Sequence, residues 1–550
     1  MNVAEAVGTA LARLGVRQVF GVVGSGNFHV TNALIAAGAR YVATRHESGA
    51  ATMADAYARV SGTVAAVSVH QGCGLTNAMT GMTEAAKSRT PLLVLAAEVA
   101  NPGSNFYVDQ PGLAAAVGAA SVRIEEASGC VDAALAAYRL ARDERRTVLV
   151  NLPLQAQALD VPDAVAAALD RLAVPEPPEP LVPDGDSLDA LVALLASARR
   201  PVLIAGRGAR HGGAELRALG EACGALLATS AVAKGVFAGD PWALDVSGGF
   251  ATPLAAELIS DADVLVAFGC ALNMWTTRQG TLIGPDTALV QVDIEADAIG
   301  RHRPVALGVL GDSAVTASSA AEALGGRGRA GYRSDELRAR IAREGRWRDV
   351  PYEDWGTEGT DPRIDPRTLS VLMDDALPAE RILSIDSGNF MGYPSMFLSV
   401  PDEQGFCFTQ AFQSIGLGLA TATGAALARP DRLPVAALGD GGMMMAAAEL
   451  DTVRRLGLPM VVIVYDDSAY GAEVHHFNGG EPLSTVTFPD TDLAAVAAGY
   501  GFDTVTVRCP EDAADVKAWV AGSRDRPLLV HGRVASPRGS WWLEEAFRGH

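Results

Sequence analysis

The chain has 550 residues, 49% of them hydrophobic, which is enough for several cores and about three or four domains. Its 64 acidic side chains against 44 basic ones leave a formal charge of −20, which argues against nucleic acid or an anionic membrane as partner. Six cysteines stand without CxxC or metal spacing, as in reduced cytoplasmic proteins, and neither a signal peptide nor a membrane span is evident.

The first predicted domain covers residues 1–165. Short apolar strands at 18–23, 41–45, 64–69, 92–96 and 148–152 alternate with helices, a rhythm that implies a mostly parallel sheet covered on both faces. Ligands of such sheets lie beyond the carboxyl ends of the strands. Four polar features fall there: Gly24-Ser25-Gly26-Asn27, His46-Glu47, His70-Gln71 and, on a later loop, Asp109-Gln110. Glu47 opens a small-residue helix, where the dipole alone would favour an acid. The run from His70 to Asn77 ends the third strand and starts another helix, with Cys73 expected as a small packed residue.

Residues 174–184 hold five prolines and form an extended linker. A second α/β domain, 188–325, follows; the run 201–208 opens its α/β pattern and strand-like runs recur at 225–229, 263–268 and 288–292. Its Gly206-x-Gly208 falls short of a dinucleotide fingerprint, and no cluster of phosphate-binding side chains is visible. Lys234-Gly235 reads as a structural turn. Residues 326–364 are Arg-rich, first as linker and then as a solvated helix.

The third domain, 365–550, carries the most chemistry. After its first strand at 381–385, Asp386-Ser387-Gly388-Asn389 is a loop suited to donating N–H groups to a phosphate. An apolar run at 433–438 leads into Gly439-Asp440-Gly441-Gly442, then about four helical turns, then a second apolar run at 460–464 ending in Asp466-Asp467. Adjacent strands lie about 4.8 Å apart, so Asp440 and Asp467 can share one cation. Mg²⁺ binds oxygens at about 2.0–2.1 Å and usually combines one or two carboxylates with phosphate oxygens. The glycines leave N–H groups bare at a helix start, which is a phosphate site.

This stretch resembles the diphosphate-binding motif of thiamine diphosphate (ThDP) enzymes, the group of acetolactate synthase, benzoylformate decarboxylase and pyruvate decarboxylase. Gly439-Asp440-Gly441 matches its start, and 25 residues separate Gly441 from Asp467 at its end. The departure is Asp466-Asp467 where the resemblance leads one to expect Asn-Asn.

The resemblance implies three doubly wound parallel-sheet domains: pyrimidine-binding, central Rossmann-like and diphosphate-binding. It makes Asp440, Asp467 and the Ala469 carbonyl the Mg²⁺ ligands. It places Gly24, Asn77, Ser387, Gly388, Asn389, Gly441, Gly442, Tyr470 and Gly471 at the cofactor. Glu47 takes the position of the acid that activates the cofactor's aminopyrimidine. His70 looks like the proton-handling His of benzoylformate decarboxylase, and Gln110 like an active-site Gln of acetolactate synthases. Ile415, in the run Ala411 to Gly418, corresponds to the apolar wedge beneath the thiazolium ring. In relatives the central domain holds FAD, an ADP-containing ligand or nothing; FAD is possible here and not favoured. The implied activity is ThDP- and Mg²⁺-dependent cleavage of a small 2-oxo acid, acetolactate synthase-like. A benzoylformate decarboxylase-like lyase, an acyl-CoA lyase and a silent ThDP-binding partner subunit are the alternatives. Such enzymes assemble as homodimers or homotetramers with sites at the subunit interface. The tail at 540–543 is expected to dock rather than fray.

Overall fold

The computed structural model describes residues 1–325, 331–477 and 479–546. Eighteen strands form three six-stranded sheets. The first contains β1 (Gln18–Gly21), β2 (Arg40–Ala43), β3 (Ala65–Val69), β4 (Leu92–Glu98), β5 (Ala120–Arg123) and β6 (Thr147–Pro153). The second contains β7 (Pro201–Ala205), β8 (Leu226–Thr229), β9 (Ala243–Val246), β10 (Val264–Phe268), β11 (Ala288–Asp293) and β12 (Leu307–Leu310). The third contains β13 (Arg381–Ile385), β14 (Phe406–Phe408), β15 (Leu433–Gly439), β16 (Val461–Asp466), β17 (Asp503–Val507) and β18 (Leu528–Arg533).

Every pairing within these sheets is parallel. Central strands such as Ala65–Val69 and Pro201–Ala205 are buried along their whole length, because helices cover both faces and an alternating pattern would bury polar groups. The sheet orders are β2-β1-β3-β4-β6-β5, β12-β11-β10-β7-β8-β9 and β14-β13-β15-β16-β18-β17. The order therefore reverses between β1 and β3, between β7 and β10, and between β13 and β15. Each reversal opens a crevice beyond the carboxyl ends of its two strands, where open α/β sheets bind ligands.

The first and third units pack through helices Glu47–Ser61 and Gly418–Ala428. A Cβ on Gly424 would lie 2.1 Å from the Met53 carbonyl oxygen, so only glycine permits this approach. Gly424→Val is expected to cost about 1–3 kcal/mol through overpacking, read as a lowered melting temperature.

Two local expectations change, at the helix after Gly439 and at Cys73. The single helix expected after Gly439 is two, Asp440–Met445 and Glu449–Arg455, and the restart turns Glu449 into the interior. Cys73 is exposed at the start of its helix rather than packed. Ile415 lies half-buried in an irregular segment ahead of helix Gly418–Ala428, with Gly416 at φ +86° behind it. The solvated helix is present at Asp335–Glu344, with Ile341 buried, while 326–330 of the preceding linker lie outside the described residues. The tail docks: Trp542 is 1% exposed against Phe250 and Tyr393, and Trp541 Nε1 donates to the Gly249 carbonyl at 3.0 Å. Among the described residues, no helix is long and apolar enough to cross a membrane.

Candidate active site

The third sheet's crevice is built from the loops after β13, β15 and β16. β15 and β16 are neighbours, with Gly439 opposite Tyr465, so Asp440 and Asp467 follow directly from adjacent strand ends. Burial, then the charges of Asp467 and Asp466, push the Asp440 carboxyl up to about 8. Burial and the neighbouring Asp466 charge raise Asp467 to about 6, against a bond from the Ser536 hydroxyl. Ser468 adopts φ +57° and turns the chain. Beyond it, Tyr470 N–H donates to Val486 and Phe488 N–H to the Ser468 carbonyl. Ala469 and Thr487 thus form a non-hydrogen-bonded pair, which points Ala469's own C=O away from that partner.

Glycines stand in close contact with side chains around this pocket. A Cβ on Gly471 would sit 2.5 Å from Asp467 Oδ2 and 3.3 Å from Asn389 Cβ; one on Gly441 would meet the Tyr470 ring at 2.5 Å. These contacts bring Gly441, Tyr470, Gly471, Asp467 and Asn389 together. Asn389 Oδ1 also accepts the Ser540 N–H and hydroxyl, so the docked tail reaches the crevice. Asp386 is fully buried and accepts N–H bonds from Ser387 at 2.8 Å, Gly416 at 3.0 Å and Leu417 at 3.2 Å. It ties the Ser387-Gly388-Asn389 loop to the segment bearing Ile415; burial lifts its carboxyl to about 6.

Among the described residues, no three His, Cys, Asp or Glu side chains are placed to hold a metal alone. The chain's local side-chain donors are two carboxylates beside a glycine-lined helix start. An oxygen set of that kind fits Mg²⁺ completed by phosphate oxygens, and the repulsion of Asp440 by Asp467 and Asp466 is of the sign that a cation would relieve.

Asp466, the departure from Asn, faces the other way. Its Oδ2 lies 2.6 Å from His531 Nε2 and 3.5 Å from Arg533, and its Oδ1 accepts the Ser468 N–H at 2.8 Å. Burial would raise this carboxyl, but His531 and Arg533 hold it below its ordinary value. The added carboxylate is therefore bound by side chains of β18. His531→Ala is expected to cost about 3 kcal/mol in chemical denaturation by stranding a buried carboxylate.

The first sheet's crevice holds Gly24, Glu47, His70 and Asn77. Glu47 is 9% exposed and accepts from Asn77 Nδ2 at 3.0 Å. His70 Nδ1 accepts the Gly26 N–H at 3.3 Å and its ring stands edge-on to Phe106; burial lowers its pKa, opposed by Glu47. A Cβ on Gly24 would lie 2.8 Å from His70 Nδ1, so the Gly24 turn and His70 are in contact. Gln110 is placed differently: its Oε1 accepts the Gly72 N–H at 3.4 Å and its Nε2 donates to Asn151 at 2.9 Å. Both ends of its amide are used beneath the His70–Asn77 turn. His475, on helix Gly471–His476, pairs with Ser536, whose hydroxyl also bonds Asp467. Among the described residues, no hydrogen bond or ion pair joins Glu47 to Asp440 or Asp467.

Only two arginines of the central domain, Arg207 and Arg210, line its sheet's crevice, and the first unit adds four more. A cavity of about 510 Å³ is lined by Arg59, Arg89, Arg142, Arg145, Arg207 and Arg210, next to Gly208 and Gly269. Arg207 is exposed to this cavity; desolvation by the protein around it and then neighbouring arginines lower its pKa to about 10. These arginines come from four separate segments, so only the fold assembles them.

Three parallel-sheet units, each with a crevice at its reversal and one of them acidic and glycine-lined, are the frame of an α/β cofactor enzyme. Sequence models of the thiamine pyrophosphate enzymes match all three: the N-terminal TPP binding domain at residues 1–118, the central domain at 188–320 and the C-terminal TPP binding domain at 386–531. The chain belongs to this family, whose members include 2-oxo acid decarboxylases and carboligases. It is 28% identical to a sulfoacetaldehyde acetyltransferase of Rhodobacter capsulatus, over 99% of this chain and 96% of that one. It is 29% identical to a probable 2-ketoarginine decarboxylase of Pseudomonas aeruginosa, over 93% and 90%. A probable acetolactate synthase large subunit of Methanococcus aeolicus is 25% identical, over 93% and 88%. Among solved structures, a thiamine diphosphate-dependent 4-hydroxybenzoylformate decarboxylase of Rhodococcus jostii RHA1 shares the fold with a TM-score of 0.80 at 23% identity, over 97% of this chain and 99% of that one.

Proposed function

We propose that this protein uses ThDP and Mg²⁺ to cleave or decarboxylate a small 2-oxo acid and pass the acyl fragment to a second carbonyl compound, as acetolactate synthase does. The observation that carries this is the half-buried pair Asp440 and Asp467 on adjacent strand ends beside the Gly439–Gly442 helix start. In this reading Asp440, Asp467 and the Ala469 carbonyl hold Mg²⁺, while Gly441, Gly442, Ser387, Gly388, Asn389 and Gly471 cradle the diphosphate. Ile415 wedges the cofactor's two rings together, and Glu47, held by Asn77, handles the proton at pyrimidine N1′. The cofactor, when bound, supplies a carbon nucleophile and an electron sink. Residues 1–165 serve as pyrimidine lobe, 188–325 as central domain and 365–550 as diphosphate lobe. The pyrimidine lobe of one protomer faces the diphosphate lobe of its partner, making a homodimer or homotetramer in the cytoplasm.

A second reading, a non-ligating decarboxylase, is favoured by His70, whose lowered pKa and contact with the Gly24–Gly26 turn suit proton delivery. Against a silent partner subunit stands the binding of the Asp466 carboxylate by His531 and Arg533. Product analysis with pyruvate, benzoylformate and longer 2-oxo acids, with and without an aldehyde or 2-oxo acid acceptor, tests the assignment. Ligated products are expected; aldehyde alone would move it to the second reading.

A further inference from the structure

We infer that helix Glu449–Arg455 of the diphosphate lobe is a splint that positions Glu47, with Glu449 as its principal positioning residue; this rests on the role proposed for Glu47. Glu449 is 3% exposed, and its Oε1 accepts two consecutive backbone N–H groups across the lobe boundary, from Arg45 at 3.0 Å and His46 at 2.9 Å. Those are the two residues before Glu47. The Thr452 hydroxyl donates to the other oxygen at 2.6 Å and fixes the carboxylate's orientation. The same helix makes two more bonds to the same segment: Arg455 donates to the Ala43 carbonyl at 2.7 Å, and Asp451 accepts from Arg45 Nε at 2.6 Å. Residues 43–46 are thus tied at four points to one helix, and a Cβ on Gly49 would lie 2.5 Å from Glu449 Oε1, so the next turn is shaped to the same group.

The arrangement is reciprocated. Glu84 of the first unit is fully buried and accepts N–H groups from Ala411 at 3.0 Å and Phe412 at 2.6 Å, ahead of Ile415. Arg59 donates to it at 2.7 Å and to Asp55 on its own helix. Each lobe therefore holds, by one buried carboxylate on two adjacent amides, the segment that presents the other lobe's key side chain. An N–H pair bound to an ionised acceptor is stronger and more directional than a neutral bond, which suits it to fixing a side chain's place.

The test uses the full chain with ThDP and Mg²⁺, comparing wild type with Glu449→Ala and Glu449→Gln. Titration calorimetry gives ThDP affinity, quenched NMR gives the rate of C2–H exchange in the bound cofactor, and mass spectrometry gives amide protection of residues 43–47 without ligand. Glu449→Ala is expected to slow C2–H exchange and kcat about 100-fold, as misplacement by about 1 Å does, while KM and ThDP affinity change by less than about threefold. Protection at 43–47 should fall. Glu449→Gln, which keeps an oxygen acceptor, should stay within about tenfold of wild type, the worth of one weakened bond. Wild-type exchange in Glu449→Ala overturns the inference; so does ThDP affinity falling as far as exchange, which would mark a role in its own cradle only. If wild type takes up no ThDP, the functional proposal has failed instead, and unchanged protection at 43–47 in Glu449→Ala would still overturn the splint. Should Glu449→Ala not fold, Arg455→Ala removes one tie alone and is expected to slow exchange up to about tenfold, with no change overturning the inference.

Discussion

Glu47→Gln is expected to keep ThDP bound and abolish turnover. The substituted amide is isosteric with the carboxylate and can still meet Asn77, so the loss of one bond to the cofactor should weaken binding by no more than about tenfold. What it cannot do is exchange a proton with a ring nitrogen, and general acid–base catalysis of that kind contributes about 10²–10⁴-fold. The site is prepared for such a proton: Glu47 is almost closed to water and stands at a helix start, with Asn77 as its one side-chain partner among the described residues. The measurement is kcat with the best 2-oxo acid, alongside calorimetric ThDP affinity. Undiminished turnover in the variant would remove Glu47 from the chemistry.

The sequence made much of the frame legible, for a physical reason. Interior strands of parallel sheets are continuous apolar runs, so Ala65–Val69, Pro201–Ala205 and Leu433–Gly439 stand out from their surroundings. Most edge strands do not, Arg40–Ala43 excepted. Ala120–Arg123 alternates between partial and full exposure, and Phe406–Phe408 has three residues, too few for any periodicity. The pair Asp440 and Asp467 was visible because its chemistry is local, two carboxylates bounding one β-α-β unit. Glu449 was not, since Arg45 and His46 lie more than 400 positions away and a glutamate on a helix carries no mark of what it accepts. The arginine cavity was hidden likewise, its members spread from Arg59 to Arg210. Gln110 carries a partnership of the same hidden kind: its amide bonds Gly72 and Asn151, contacts that a polar residue beside a predicted loop does not announce.

Asp467→Ala is expected to remove Mg²⁺-dependent ThDP uptake, and Asp440→Ala to do the same, each by at least about 100-fold, since even groups one step behind a metal's ligands cost 10–100-fold. The wild-type protein should show the corresponding dependence on metal and on pH. Chelation with EDTA should release the cofactor. Metal binding requires both carboxylates ionised, and in the metal-free protein they are held at about 8 for Asp440 and about 6 for Asp467. Mg²⁺ must therefore displace protons, so its apparent affinity should rise as pH increases from 6 to 8 and level off above that, with proton release on binding. The folding side carries the opposite sign. A carboxyl raised above its unfolded value near 3.9 binds more protons folded than unfolded, so each contributes stability at low pH that is lost as pH rises towards 8. Metal-free protein should consequently melt at progressively lower temperature between pH 5 and 8, and Mg²⁺ with ThDP should reverse that trend by converting the repelling pair into ligands. Melting curves across that range, with and without both ligands, decide it. A pH-independent difference between them would mean that Asp440 and Asp467 do not share the cation.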